Sequence, residues 1–134
     1  MADLTLSEAN KIIDGAIAKA KELKIRVSVA VVDAGGRLLA FQRMDNATWA
    51  GVYGSQGKAI ASVGFGRTSG ELQPRADAPI IRGIVAAEGG HMIPSQGGVP
   101  IIRNGNPIGG VGVGGGTSQE DEDCSKAGIA TVIK

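Results

Sequence analysis

The segment Gly109–Gly116, GGVGVGGG, constrains this chain more than any other. Only Val111 and Val113 carry side chains there. A hairpin signal, Asn104-Gly105-Asn106, precedes it and Thr117-Ser118-Gln119-Glu120 follows. Glycine weakens a strand unless something needs the space over its backbone. Gly110, Gly112 and Gly115 have the G-x-G-x-x-G spacing of a dinucleotide-binding turn, which joins a strand to a helix and lays a pyrophosphate on the helix amino terminus. Here the glycines begin inside the strand rather than after it. Glu120, Asp121, Glu122 and Asp123 also crowd the helix start, where they would repel a pyrophosphate. The stretch therefore reads as a strand whose bare backbone lets a helix or a neighbouring subunit approach, and no nucleotide cofactor is expected. Gly114, Gly115 and Gly116 keep a second use, because amides at a helix amino terminus can meet a carboxylate or carbonyl oxygen.

The remaining elements follow from periodicity. Thr5 and Glu8 have capping-box spacing, and Leu6, Ala9, Ile13, Ala16, Ile17, Ala20 and Leu23 recur at three- and four-residue steps, which predicts an amphipathic helix over about 6–23. Arg26–Asp33 is β-branched and apolar on both alternate faces, as in a strand covered on both sides. Ala34-Gly35-Gly36 turns it back into Arg37–Arg43. Trp49, Val52, Tyr53, Gln56, Ile60 and Val63 trace one face of a helix over about 47–64, where Gly51, Gly54 and Gly57 weaken the helix or admit another helix. Residues 65–78 read as loop and short helical turn, and 79–87 as a short helix. Val99–Arg103 and Pro107–Gly114 form a second hairpin around the Asn-Gly turn. Thr117 or Ser118 caps a last helix to about Ile133, with acids in its first turn where the helix dipole favours them. Helices on both sides of an antiparallel sheet, in three layers, are the expected architecture.

Composition narrows the function. The length, 134 residues, suggests one domain, and a net charge of +1 provides no basic stripe for nucleic acid. No apolar run approaches the ~20 residues of a membrane-spanning helix. The polar, soon amphipathic start does not read as a secretion signal, and the single cysteine, Cys124, cannot form an internal disulfide. A cytoplasmic location is expected. With 22 glycines and only Phe41, Trp49, Tyr53 and Phe65 as aromatics, the core must be built from Val, Ile, Leu and Ala.

VSVAVVDAGGRLLAFQRMD, the helix containing Gly57-Lys58-Ala59, GGVPIIRNGNPIGGVGVGGG and the trailing QEDEDC together resemble the GlcG/HbpS family, relatives of the carboxy-terminal domain of PduO-type proteins. The resemblance covers about residues 5–131. It implies an α+β, profilin-like sandwich with a five-stranded antiparallel sheet between helix layers, assembled as homodimers and often octamers. It also implies haem or a related tetrapyrrole as ligand in some members, and small-acid chemistry in catabolic pathways for others. The family often has Ser-Gly-Gly where this chain has Gly114-Gly115-Gly116, so a hydroxyl that could orient a ligand is absent.

Several residues carry candidate chemistry. Arg43, after a buried strand, can clamp a carboxylate, with Asp45 orienting it or acting as a base; the alternative is a local ion pair with Asp45 or Asn46 as a helix cap. Lys58 either points into a cleft toward an acid or haem propionate, or lies on a solvated helix face. His91 is the only histidine and hence the only imidazole available as an axial haem ligand or near-neutral acid. Glu88-x-x-His91 matches a di-iron step, but Gly89-Gly90 breaks the helix such a site needs. Cys124 reads as a packed thiol. A tetrapyrrole site would need cations, which Arg26, Arg43, Lys58, Arg67 and Arg103 can supply, and aliphatic walls. It would be shallow and near a subunit interface. The competing expectation is an enzyme for a small unsaturated or hydroxy acid, with Arg43 and Lys58 holding the carboxylate and Asp45 or His91 moving a proton. A third is a structural subunit without ligand.

Overall fold

A computed structural model describes residues 3–134. The elements run α1 (Leu6–Glu22), β1 (Ser28–Asp33), β2 (Leu38–Arg43), α2 (Ala50–Phe65), α3 (Ser69–Leu72), a 3-10 turn (Gln73–Arg75), α4 (Pro79–Ala87), β3 (Gly98–Arg103), β4 (Asn106–Gly114) and α5 (Ser118–Ile129). Local chemistry sets the boundaries. Thr5 Oγ1 accepts from the Glu8 amide at 3.1 Å while Glu8 Oε1 accepts from the Thr5 amide at 3.1 Å, closing the α1 capping box. Thr117 and Glu120 repeat the device at α5. Asp33 Oδ1 accepts from the Gly35 and Arg37 amides at 2.9 and 3.0 Å and so shapes the β1–β2 turn. Asn104 and Gly105 both have positive φ, the requirement of a tight type I′ hairpin.

Among the described residues the sheet has four strands in the order β2-β1-β4-β3, every pair antiparallel. This corrects the expected five. The two hairpins supply all the strands, and the segment between them, 65–97, is taken up by α3, the 3-10 turn, α4 and loop. The three layers are present. One face packs on α1 and α5, where Ile12, Ile13, Ala16, Val29, Val31, Val111, Val113 and Cys124 form the main core. The other face carries α2.

β4 alternates between these two environments, as a strand must. Val111 and Val113 enter the main core, while Gly110, Gly112 and Gly114 lie under α2. A Cβ on Gly112 would overlap the Ser55 carbonyl oxygen, and one on Gly110 would stand 2.6 Å from both the Ala59 carbonyl oxygen and Ser62 Oγ. The helix backbone thus rests on the strand backbone. The face of α2 that does so is Gly51, Ser55, Ala59 and Ser62, all buried. On the face traced by Trp49, Tyr53, Ile60 and Val63, Trp49 is 70% and Tyr53 68% exposed, with their rings edge-to-face at 6.3 Å between centroids, while Val63 is buried and Ile60 half-buried. The physical reason is room: a strand bare of side chains leaves space only for small helix residues. It is a strand, not another helix, that α2 approaches. α2 also starts at Ala50 rather than near 47, and α5 ends at Ile129 rather than near Ile133. No helix among the described residues is long and apolar enough to cross a membrane.

Gly112→Ala should destabilise the fold by ~3 kcal/mol, because backbone must move to admit the methyl. Gly54→Ala, on α2 with nothing within 4 Å of its Cβ position, should stabilise it by ~0.5–1 kcal/mol. Urea unfolding of the pair checks both, and equal effects would contradict the packing described.

Candidate functional site

Lys58 does not reach solvent. From the middle of α2 its ammonium passes the end of the sheet and donates to the Val113 carbonyl at 2.9 Å and to Asp121 Oδ2 in the first turn of α5 at 3.1 Å. Its side chain is 12% exposed and that of Asp121 3%. Asp121 Oδ1 accepts from the Gly116 amide at 2.8 Å. Gly97 faces this contact, and a Cβ there would stand 2.9 Å from Lys58 Nζ. One ion pair therefore ties the helices of opposite layers together around the end of β4. Burial pushes the Asp121 carboxyl above the ordinary carboxylate range, against the pull of Lys58 and of the Gly116 amide. Next to it, Ser69 Oγ accepts from the Gly98 amide at 2.7 Å and donates to the Ser95 carbonyl at 2.6 Å, and Ser125 Oγ donates to the Gly97 carbonyl at 2.7 Å. These hydroxyls hold the loop before β3 against both helix layers.

A cleft of about 790 Å³ opens on the outer side of α2. Tyr53, Gln56 and Ile60 of α2 form one wall. Gly36, Arg37 and Leu38, at the start of β2, form another. The loop Ala87–His91 after α4, with Ile93, forms the third. Arg37 Nη1 stands 3.5 Å from Glu88 Oε1 across the cleft, an exposed and loosely held pair. His91 is exposed, follows Gly89 and Gly90, both at positive φ, and lies with Tyr53 in the same cleft.

The residues singled out from the sequence are thus dispersed. His91 lines the cleft, whereas Arg43, Asp45 and Lys58 do not. Arg43, exposed at the end of β2, pairs in register with Ser28 and makes no ion pair among the described residues, and Asp45 is exposed in the connection to α2. Gly114 packs on Gly51, Gly115 lies against the Arg26 carbonyl, and Gly116 gives its amide to Asp121. The described residues contain no cluster of three or more metal-ligating side chains. Sequence reasoning missed Arg37, Tyr53 and Gln56 as cleft residues and Asp121 as the partner of Lys58. The first group had a signal, the ring-bearing face of α2, which the sequence marks without saying what it meets. Cys124 is buried, and burial with the surrounding acids pushes its thiol up to about 11.

A four-stranded antiparallel sheet between helix layers, with a glycine strand under a small-residue helix and an open cleft beyond it, defines a class of small α+β domains. Within that class, residues 4–130 match the family model described as haem degrading protein HbpS-like, and the chain belongs to that family. It is 35% identical over 125 residues to an uncharacterized 15.0 kDa protein of the dhaT-dhaS intergenic region of Citrobacter freundii, covering 90% of this chain and 86% of the relative. Protein GlcG of Escherichia coli K12 is 36% identical over 112 residues, 82% of this chain and 80% of GlcG. Among solved structures, the PduOC:haem complex superposes with a TM-score of 0.88 at 26% identity, covering 98% of this chain and 96% of that one.

Lys58→Met should cost ~3–5 kcal/mol, because it leaves the Asp121 carboxylate buried without a cation. Asp121 titrates higher in the folded chain than in the unfolded one, so the stability tied to its neutral form is present at low pH and is lost as pH rises through its folded-state value. Without Lys58 that value rises further. The deficit of Lys58→Met relative to the parent should therefore shrink on acidification, measured by denaturant unfolding across pH 4–8 (roughly the range of a carboxylate raised by burial). A deficit independent of pH would rule out the buried pair as its source. Cys124 should stay unreactive toward a disulfide reagent at neutral pH in the folded chain and react fully once urea unfolds it.

Proposed function

We propose that this chain binds haem or a related tetrapyrrole in the cleft lined by Tyr53, Ile60, Arg37 and His91, and that a second copy of the chain closes the site. The observation that carries the reading is that the only imidazole of the chain shares one cleft with a phenol, a cation and aliphatic side chains. The residues fit the group. Iron porphyrins are held by His or Tyr axial donors, and their propionates pair with cations. The volume, about 790 Å³, lies within the ~300–1,000 Å³ of small-molecule sites. Leu38, Ile60 and Ile93 would flank the macrocycle, His91 would ligate the iron, and Arg37 would leave Glu88 for a propionate. When bound, such a group supplies an iron centre for redox or oxygen chemistry. The likeness to the PduOC:haem complex and the family's description support the same reading.

The cleft is open to solvent beside Trp49 and Tyr53, rings of a kind enriched at interfaces. Self-association over that face would bury both rings and shut the cleft. An enzyme for a small unsaturated or hydroxy acid draws less support, since the ammonium of Lys58 is already paired with Asp121 and Arg43 does not line the cleft that holds His91.

Haem titration should give a saturable Soret band, with His91→Ala shifting the band and weakening binding by about tenfold or more. Arg37→Ser should weaken binding without moving the band. Broad absorbance that never saturates, or a Soret band indifferent to His91→Ala, would remove the proposal.

A further inference from the structure

A second depression, of about 630 Å³, lies on a different part of the surface, between the end of α1 and the start of α2. Its walls carry three cations, Lys21, Lys24 and Arg26, and no acid. Asp45 is not among its lining residues, although its neighbours Met44 and Asn46 are. None of the three cations forms an ion pair among the described residues. Three like charges gathered around one concavity repel each other in the absence of a counter-charge, and a concave wall focuses their field on whatever enters.

The dipole of α1 accounts for a lysine in its last turn, since the carboxy terminus of a helix attracts cations. It does not account for Lys24. That residue follows the C-cap Leu23, and the Ile25 amide donates back to the Ala20 carbonyl at 2.9 Å, a Schellman closure. The position requires left-handed backbone, and Lys24 adopts φ 61°. Glycine is the ordinary residue there, because a Cβ is strained in that region. A lysine at this position adds strain and a charge facing the depression.

The opposite wall is Met44 and Asn46–Thr48, the connection into α2, and the first turn of the helix beyond it has no side-chain cap and no acid. Among the described residues, the amides of Thr48, Trp49 and Ala50 donate to no protein acceptor. Among the described residues, Ser28 Oγ is the one buried side-chain polar atom without a partner; it lies under this turn, 3.5 Å from the Cβ position of Gly51, and does not line the depression. Of the three free amides only that of Thr48 belongs to a lining residue, so the positive end of α2 stands just behind the wall that faces the cations.

We infer that this depression binds a small multivalent anion, an organic carboxylate or phosphate with at least two negative charges, held by Lys21, Lys24 and Arg26 against the Asn46–Thr48 wall. The site is independent of the haem reading, which uses none of these residues.

The test is calorimetric titration of the full chain at low salt with citrate and with pyrophosphate, accompanied by amide chemical shifts. Saturable binding of either anion is expected, with the largest shifts at Lys24, Arg26 and Thr48. Citrate alone saturating assigns a carboxylate ligand; pyrophosphate alone assigns a phosphate. Arg26→Ser and Lys24→Gly should each weaken binding by about tenfold, the loss of one charge-assisted contact. Lys24→Gly should at the same time raise the melting temperature, because it relieves the left-handed strain, so its loss of binding cannot come from unfolding. His91→Ala should leave anion binding unchanged. Absence of saturation with both anions, equal effects from sodium chloride at matched ionic strength, or unaltered affinity in both variants would overturn the inference.

Discussion

The contact between β4 and α2 is the constraint on which the remaining structure depends. Two backbones meet there with almost no side chain between them, Gly110, Gly112 and Gly114 below and Gly51, Ser55 and Ala59 above. Close-packed interiors tolerate such contact only where both surfaces are bare, and a single methyl in the wrong place forces backbone to move. On its other face the same strand sends Val111 and Val113 into the aliphatic core with α1 and α5. A strand that alternates glycine and valine over Gly110–Gly114 therefore joins two kinds of packing, one of backbone on backbone and one of interlocked branched side chains.

The Lys58–Asp121 pair follows from that close approach. With α2 resting on the sheet, a lysine in its middle is near enough to the end of β4 to reach α5. The pair is hydrogen-bonded to the Val113 carbonyl and the Gly116 amide, the kind of satisfaction a buried ion pair needs if it is not to destabilise the fold. The acids that argue against a pyrophosphate at the start of α5 thus include one with an internal task.

Much of this was legible in the sequence. The capping boxes at Thr5 and Thr117, the Asn104-Gly105 turn, the two hairpins and α4 stand where local chemistry puts them, because caps and turns are decided within a few residues. The packing role of the glycine strand was legible too, from the acids beyond it. The strand count taken from the family resemblance was not met, since residues 65–97 form helical turns and loop. The orientation of α2 was not legible, for a tertiary reason. Trp49, Tyr53 and Ile60 mark one face of a helix, and only the bareness of a strand some sixty residues away in sequence decides which face packs (roughly half the chain, a contact that no local pattern encodes). Lys58 and Asp121 have the same separation problem. His91 could be named as a candidate because it is unique, but its neighbours in the cleft, Arg37 and Tyr53, come from elements that only folding brings together.

Because α2 is anchored through its smallest residues, Trp49, Tyr53 and Gln56 on its outward side take no part in the packed cores. Rings and amides such as Tyr53 and Gln56 can therefore be exchanged while the scaffold keeps its shape. Divergence in what a relative recognises would then be separable from divergence in how it folds: the one written on the outside of a single helix, the other on the inside.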